Sequence, residues 1–321
     1  MNGTGGHTGQ LSPDAVKTGI DAVLYERFTR TMQPQYLSAS DSMFFKQDDT
    51  QMVAFIWDED SNVGEFEETD EQGEILNTDT FIGNTKTKYS QKYTKQIPIS
   101  DEAFRADKVG KRKRIGTQVG DRARQTQDRK AILSTYGDAF AGSINTTPDG
   151  KALAANDHIT LKGATVDNKE TSALTPDGAW TLTNTLANQR GQDGDAGSHV
   201  LEGALSPFVL YKTMKEVLNS ELIANSAENN LNIFDTDYGE VQIRASIFLG
   251  SMYNSASNAN TSYHFIGENH QITRMVFYEL YTTMISPEYT DNDSYALRSK
   301  FHEATFPGTW TAYAGADGTT V

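Results

Sequence analysis

The stretch Lys95-Gln96-Ile97-Pro98-Ile99-Ser100-Asp101-Glu102-Ala103 marks a change from one kind of secondary structure to another. It closes an extended segment that begins near Thr85. Ser100 is a good helix cap, and the acidic residues that follow it suit the positive end of a helix. The stretch therefore predicts a strand before Ser100 and a helix after it.

The predicted helix runs from about Lys108 to Phe140 and carries an imperfect apolar stripe. Gly110, Gly116 and Gly120 weaken its first half, since each glycine costs roughly 1 kcal/mol relative to alanine. The region is rich in basic residues: Arg105, Lys108, Lys111, Arg112, Lys113, Arg114, Arg122, Arg124, Arg129 and Lys130.

Upstream of this junction lies a strongly acidic segment. Met52–Trp57 is predicted to be a strand, and the residues from Asp58 to Asp79 include many acids but no lysine or arginine. A second extended segment follows from Thr85 to Ile99. Two extended segments around a polar tip predict a long hairpin arm. Its acidic half has too few apolar residues to be buried in a core.

The amino-terminal part combines a polar tail with one predicted helix. Residues 1–10 are rich in glycine and threonine, and Ser12 with Pro13 begins a helix. Its apolar stripe consists of Val16, Ile20, Val23, Leu24 and Phe28. The stripe fits two interpretations, packing against the chain's own domain or against a partner chain.

The second half of the chain is rich in predicted strands. Helices are predicted from Thr175-Pro176 and from Ser206-Pro207, with a short strand at Val200–Leu205 between them. The later strands are Val241–Leu249, Tyr263–Gly267, Thr273–Ile285 and Tyr295–Trp310. Helices and strands segregate along the chain instead of alternating, which favours an α+β fold.

Composition excludes several classes of protein. The formal charge of −15 disfavours a dedicated nucleic-acid binder, because phosphate contacts dominate that affinity. The absence of cysteine excludes disulfides, thiolate nucleophiles and iron–sulfur clusters. The start does not resemble a signal peptide, and no apolar run approaches the ~18 residues of a membrane span. We expect a soluble protein made in the cytoplasm.

The sequence contains no convincing catalytic, cofactor-binding or metal-ligating pattern. His302 and Glu303 begin like a zinc-protease motif, but Phe306 stands where the second histidine belongs. Asp58 begins a stretch like a calcium loop, but Val63 stands where glycine must make the turn. We therefore expect no enzyme activity, no cofactor and no metal site.

Several stretches, taken in order, resemble the major capsid protein family of tailed bacteriophages. Residues 95–103 and the basic helix after them are similar to the end of that family's extended loop and its spine helix. The other matching stretches are Asp149-Gly150-Lys151-Ala152-Leu153, Asn156-Asp157-His158, Gly163-Ala164-Thr165-Val166-Asp167-Asn168, Leu205-Ser206-Pro207, Glu216-Val217-Leu218-Asn219-Ser220, Asn229-Asn230-Leu231-Asn232 and Trp310-Thr311-Ala312-Tyr313-Ala314-Gly315. The resemblance covers roughly residues 85–315.

This resemblance implies a tailed-phage capsid fold of the HK-ninety-seven type. Its parts would be an N-terminal arm (1–47), an extended loop (48–99), a peripheral domain with the spine helix (100–190), an axial domain (191–272) and peripheral strands (273–321). It implies assembly with itself, as hexamers and pentamers, into an icosahedral shell around double-stranded DNA, without sequence specificity. Scaffolding, portal and decoration proteins are further expected partners, and the virion is the expected location, with no membrane contact. No scaffold-like segment precedes the arm, so a separate scaffolding protein is expected.

The charge pattern suggests how neighbouring subunits meet. In such shells the extended loop lies across a neighbour, near its spine helix. The hypothesis is that the acidic residues Glu65, Glu67, Glu68, Asp70 and Glu71 complement Lys111, Arg112, Lys113 and Arg114 between subunits. Two other interpretations remain, a solvated acidic tip and a basic helix that faces packaged DNA.

Other functions remain open at this stage. An encapsulin-like compartment has the same fold but encloses protein. A soluble binding module or carbohydrate-active enzyme is a second alternative, suggested by the second half, rich in glycine, asparagine, threonine and tyrosine.

Overall fold

The computed structural model describes residues 13–28, 35–48, 53–60, 82–100, 111–221, 232, 234, 241–285 and 294–319. The α-helices within these ranges are α1 (Pro13–Phe28), α2 (Lys111–Ile132), α3 (Pro176–Ala187) and α4 (Tyr211–Leu218). The strands are β1 (Lys46–Asp48), β2 (Ala54–Asp60), β3 (Ile82–Tyr89), β4 (Gln91–Ser100), β5 (His158–Ile159), β6 (Thr165–Val166), β7 (Lys169–Glu170), β8 (Leu201–Pro207), β9 (Gln242–Ser246), β10 (Tyr263–Gly267), β11 (Ile272–Ile285), β12 (Ser294–Pro307) and β13 (Tyr313–Ala316). Helices and strands do not alternate regularly, so the α+β prediction is confirmed.

The chain folds into two compact units, each built from three separated segments. Unit 1 comprises Met1–Thr31, Ser90–Gln127 and Val276–Glu303. Unit 2 comprises Met32–Tyr89, Asp128–Met275 and Ala304–Val321.

In unit 1, α1 packs closely against α2 at two glycines. A Cβ atom at Gly116 would lie 2.9 Å from the carbonyl oxygen of Ile20. One at Gly120 would lie 2.5 Å from the carbonyl oxygen of Leu24. Both distances are shorter than real Cβ contacts, so these glycines are what allows the two helices to touch. The residues that weaken the predicted helix therefore have a packing role.

The core of unit 1 lies between α1, α2 and strands β4 and β12. Ile20 and Leu24 are buried together with Ile115, Val119, Ile99 and Leu297. Burial of side chains of this size contributes roughly 1.5–3 kcal/mol each. Of the two interpretations of the amino-terminal stripe, packing on its own chain holds for Ile20 and Leu24.

Strand β4 ends the extended stretch that precedes Ser100. It pairs antiparallel with β12, from Gln91 opposite Glu303 to Ser100 opposite Ser294. Among the described residues it has no second neighbouring strand. An edge strand tolerates proline, because one side of its backbone makes no ladder bonds, and Pro98 occupies such a strand.

A five-stranded sheet forms the centre of unit 2, in the order β7-β13-β10-β8-β9. Successive side chains of a strand point to opposite faces, and here both faces are buried. Leu205, Ile266 and Tyr313 are buried in the core on one face. Ala204, Phe265 and Ala314 are buried in the core on the other face. Every residue of β10 is accordingly buried.

Two helix starts in unit 2 were predicted, with different outcomes. Thr175 caps α3, because its side chain accepts a hydrogen bond from the backbone N–H of Gly178, as predicted. The start predicted at Ser206-Pro207 was wrong. Those residues end β8, a 3₁₀ turn follows at Phe208–Leu210, and α4 begins at Tyr211. Pairing of β8 with β9 and β10 outweighs the local capping signal.

The long helix is shorter than predicted at its carboxyl end. After α2 the chain makes a π-helical turn at Leu133–Gly137 and then leaves the helix. Tyr136 in this turn is buried, and its hydroxyl donates a 2.6 Å hydrogen bond to the carbonyl oxygen of Phe44. The hydrogen bond between Tyr136 and Phe44 thus lies where the α-helix gives way to the π-helical turn.

No helix among the described residues is long and apolar enough to cross a lipid bilayer.

Candidate assembly site

The base of the predicted hairpin arm is present in unit 2. Strands β2 and β3 pair antiparallel, with Ala54 opposite Tyr89 and Trp57 opposite Lys86. The stretch predicted as one extended segment from Thr85 to Ile99 divides at Ser90, because β4 pairs with β12 instead. The hairpin between β2 and β3 is confirmed, and residues 61–81 at its tip lie outside the described residues.

Two lysines of β3 hold the hairpin to a turn in residues 143–151, named the anchor turn below. The Nζ of Lys86 donates to the carbonyl oxygen of Thr146 and, at 2.9 Å, to its Oγ1. The Nζ of Lys88 donates to the side-chain oxygen of Asn145. Burial, and next the charge of Lys88, lower the pKa of Lys86 to about 8. Both ammonium groups are thus committed to the anchor turn.

A buried aspartate organises the start of the anchor turn. The carboxylate of Asp138 accepts hydrogen bonds from the backbone N–H groups of Ser143 (2.9 Å), Ile144 (2.6 Å) and Asn145 (2.9 Å). It also accepts one from the Ser143 hydroxyl, at 2.5 Å. Hydrogen bonds to a carboxylate are among the stronger ones in proteins. Asp138 therefore fixes the backbone onto which the hairpin lysines dock.

Asn145 connects three segments of unit 2. Its Nδ2 donates to the carbonyl oxygens of Ser134 (2.7 Å) and Thr305 (2.9 Å), and its oxygen accepts from Lys88. The side chain is buried. Through this one amide, the turn after α2, the end of β12 and the hairpin are held together.

Asp149, within the anchor turn, forms a buried polar pair with His158. Asp149 Oδ2 lies 2.7 Å from His158 Nδ1, and the imidazole stacks on Trp310 with ring centroids 5.1 Å apart. Burial by itself would raise the pKa of Asp149. The hydrogen bonds from His158 and Thr147 outweigh burial and lower it. The carboxylate thus stays ionised and keeps its partners.

Asn168 completes this arrangement from the segment between β6 and β7. Its Nδ2 donates to the Leu153 carbonyl oxygen at 2.8 Å, and its Oδ1 accepts from the Ala155 N–H at 2.8 Å. Asp149, His158 and Asn168 all belong to the stretches that carry the family resemblance. Their contacts give a structural reason for these residue types, because they support a segment with little regular secondary structure.

The predicted inter-subunit residues are placed only in part. Glu65, Glu67, Glu68, Asp70 and Glu71 lie outside the described residues. Lys111, Arg112 and Lys113 lie in the first turn of α2, and Arg114 follows them with an exposed side chain. The two charge sets are not brought together within the described chain, so their complementarity stays a prediction.

Helix α2 carries exposed arginines beside its buried residues. Arg114 and Arg122 are exposed, whereas Ile115 and Val119 are buried. The two arginines are eight residues apart, so they lie on one side of the helix, about 12 Å apart along its axis. This side of α2 is available for a negatively charged partner.

Sequence reasoning missed Asp138 and Asn145 as organising residues. Neither residue belongs to a motif considered in the sequence. A local signal existed for Asp138, because aspartate before a turn-rich stretch often accepts hydrogen bonds from the following backbone. For Asn145 no local signal exists, because one of its partners is Thr305, 160 residues away.

Within the described ranges, no three histidine, aspartate or glutamate side chains are grouped to hold a metal ion.

Comparison with known proteins gives a consistent picture. A family model described as phage capsid protein matches residues 84–316. No individually curated protein matches the sequence.

Among solved structures, the capsid of Ralstonia phage GP4 matches with a TM-score of 0.56 at 11% identity, covering 88% of this chain and 89% of that one. The mature capsid of bacteriophage PhiM1 matches with a TM-score of 0.52 at 11% identity, covering 89% and 88%. A virus-like particle from Pyrococcus furiosus matches with a TM-score of 0.52 at 12% identity, covering 93% and 98%. At such identities the likeness is one of fold.

Proposed function

Given that this chain belongs to the phage capsid protein family and is a major capsid protein that forms the phage head, we propose that its copies assemble as hexamers and pentamers into an icosahedral shell. The observation that carries this proposal is the family match, which extends from β3 to β13. The fold predicted from the sequence, of the tailed-phage capsid type, is confirmed. The protein is structural in role, and its place is the capsid of the virion.

The proposed shell encloses double-stranded DNA without reading its sequence. A chain with a formal charge of −15 needs few phosphate contacts for this role, because the shell confines the DNA instead of binding it tightly. Assembly in the host cytoplasm, with scaffolding, portal and decoration proteins as partners, belongs to the same proposal.

We propose the same division of the chain that the family resemblance predicts. Its parts are the arm (1–47), the extended loop (48–99), the peripheral parts (100–190 and 273–321) and the axial domain (191–272). The β2–β3 hairpin, held by Lys86 and Lys88, supports the loop assignment. A loop with a fixed base projects in a defined direction, which suits contact with a neighbouring subunit.

Within this shell, the acidic loop of one subunit contacts the basic side of α2 in its neighbour. The exposed side chains of Arg114 and Arg122 support this contact. Oppositely charged surfaces set register and speed of association more than affinity. The alternatives are a solvated loop tip and an α2 surface that faces DNA.

Charge reversal tests the contact. The variant combines Lys111→Glu, Arg112→Glu, Lys113→Glu and Arg114→Glu. The matched control reverses four exposed basic residues elsewhere: Lys92→Glu, Lys212→Glu, Lys215→Glu and Arg298→Glu. Light scattering after size exclusion and electron microscopy, with scaffold supplied where needed, should show shells for the control and none for the variant. Circular dichroism should show that both are folded.

The outcomes separate the three interpretations. Normal shells from the reversed variant would exclude the loop–helix contact. Normal empty shells that then fail to retain DNA would assign the basic side of α2 to the genome. A wild-type chain that stays monomeric even with scaffold would contradict the shell function itself.

A further inference from the structure

Unit 2 contains an acidic pocket of about 660 Å³, separate from the hydrogen bonds that hold the anchor turn. Its walls are formed by residues 191–200, the turn at 268–271, Trp57 and Asp58 of β2, and Thr309 and Thr311. Its lining includes four carboxylates, Asp58, Asp193, Asp195 and Glu268, and, within the described chain, no lysine or arginine. Outside the lining, Lys162 Nζ lies 4.0 Å from Asp195 Oδ2. The pocket is therefore strongly negative.

The other titratable group in the lining does not offset this charge. Burial lowers the pKa of His199, so its imidazole is neutral at pH 7. Beside the pocket, Glu59 is buried and accepts hydrogen bonds from Asn84 (3.0 Å) and Gln192 (3.3 Å). The chain supplies hydrogen bonds here, and Lys162, beside Asp195, offsets only one of the four negative charges.

Gln192 gives a second, independent sign that the pocket takes a ligand. Its side chain is only 4% exposed and lines the pocket, yet its Oε1 has no hydrogen-bond partner among the described residues. Trp57 Nε1 and His199 Nε2, also in the lining, are buried without partners in the same part of the chain. Buried polar groups are normally paired, so this site is incomplete without another molecule.

The chemistry of the lining selects one kind of ligand. An arginine guanidinium is planar, always charged and carries five N–H donors, which suits carboxylates on several sides together with the Gln192 oxygen. It also stacks on aromatic rings, and the Trp57 indole forms part of the wall. A lysine ammonium offers fewer donors and no plane.

We propose that this pocket receives an arginine side chain from a second copy of the chain. Trp57 and Asp58 belong to the hairpin whose acidic continuation is assigned to the neighbour's α2, so this inference rests on the proposed function. Arg114 and Arg122, exposed on α2, supply arginines of the required kind. The charge of the pocket and that of this helix surface are complementary, which favours a second copy as the source.

Binding of a small probe tests the pocket itself. The probe is N-acetyl-arginine amide, and its neutral counterpart is N-acetyl-citrulline amide, both titrated into unassembled subunits by calorimetry or NMR. The pocket variant is Asp58→Asn, Asp195→Asn and Glu268→Gln. The control, with equal charge change, is Asp167→Asn, Asp177→Asn and Glu221→Gln, all exposed and outside the lining.

Wild type and control should bind the arginine probe at least about tenfold more tightly than the citrulline probe, and the pocket variant should lose this preference. Equal binding of the two probes by wild type, or an unchanged preference in the pocket variant, would overturn the assignment of a guanidinium site.

Assembly tests the source of the arginine. The pocket variant should need about tenfold more subunit to form shells than the control. If it loses the probe but assembles like the control, the arginine does not come from a second copy and the proposal is wrong. Should wild type bind the probe but never form shells, even with scaffold, the proposed function fails instead. The two failures are thus distinguishable.

Discussion

Asp149 Oδ2 lies 2.7 Å from His158 Nδ1, and the two side chains are 6% and 0% exposed. This pair supports the loop between α2 and α3, which contains little regular secondary structure. Such a loop depends on side-chain hydrogen bonds, because few backbone ladders hold it.

Replacing Asp149 with asparagine should lower the free energy of unfolding by about 1–3 kcal/mol, because buried donors lose a charged acceptor. Urea unfolding of the unassembled subunit measures this. Asp157→Asn is the matched control, since Asp157 is exposed and forms a surface ion pair with Lys151. A loss of more than about 0.5 kcal/mol is not expected there. Equal effects of the two substitutions would contradict the role given to the buried pair.

Because α1 and α2 are in close contact, we expect Gly120→Ala to change stability in the direction opposite to that given by helix propensity. In an isolated helix, Gly120→Ala would stabilise by roughly 1 kcal/mol. Here the added Cβ would lie 2.5 Å from the Leu24 carbonyl oxygen. We expect a net loss of about 1–3 kcal/mol, measured by thermal or urea unfolding.

The control for this glycine is Gln118→Ala, at an exposed position on the same helix. It should be neutral or slightly stabilising. If Gly120→Ala also stabilised the protein, the observed approach of α1 to α2 would be wrong.

His264 makes stability depend on pH. Burial lowers its pKa from 6.5 to about 3, and its ring contacts Tyr136, Phe140 and Tyr313. Below pH 6.5 the unfolded chain binds a proton that the folded chain does not. The contribution of His264 to the free energy of unfolding is therefore complete above pH 6.5 and is lost as the pH falls toward 3.

A His264→Gln variant should therefore lose less stability than wild type between pH 7 and pH 4.5. Urea unfolding at several pH values provides the comparison. Parallel curves for the two proteins would show that His264 does not carry this dependence.

Lys86 should make stability depend on pH in the alkaline range. Burial and the neighbouring Lys88 lower its pKa from 10.5 to about 8. Between pH 8 and 10.5 the unfolded chain keeps a proton that the folded chain releases, so this group makes stability rise with pH. Below pH 8 the group gives no pH dependence.

The matched variant is Lys86→Met, which keeps most of the side-chain length without the charge. The stability of wild type relative to this variant should increase from pH 8 to pH 10, as measured by chemical unfolding. A constant difference would mean that the Lys86 ammonium is not desolvated at the anchor turn.

Local sequence signals determined much of the secondary structure. The cap at Thr175 acts through Gly178, three residues away, and the strand predicted at Tyr263–Gly267 is present as β10. These features depend on neighbours within a turn or on a short periodic pattern, so the sequence alone reveals them. The α+β class and the resemblance to a capsid protein follow from the order of such features.

Tertiary structure decided what no local pattern contains. Ser206-Pro207 has the form of a helix start but lies in a strand, because β9 and β10 bind β8 on both sides. By helix propensity alone Gly120 weakens α2, but the close approach of α1 requires a glycine there. The side chain of Asn145 donates a hydrogen bond to Thr305, and that of Gln192 donates one to Glu59. Partners so distant in sequence meet only after folding, because hydrogen bonds and close packing depend on separation in space and not along the chain.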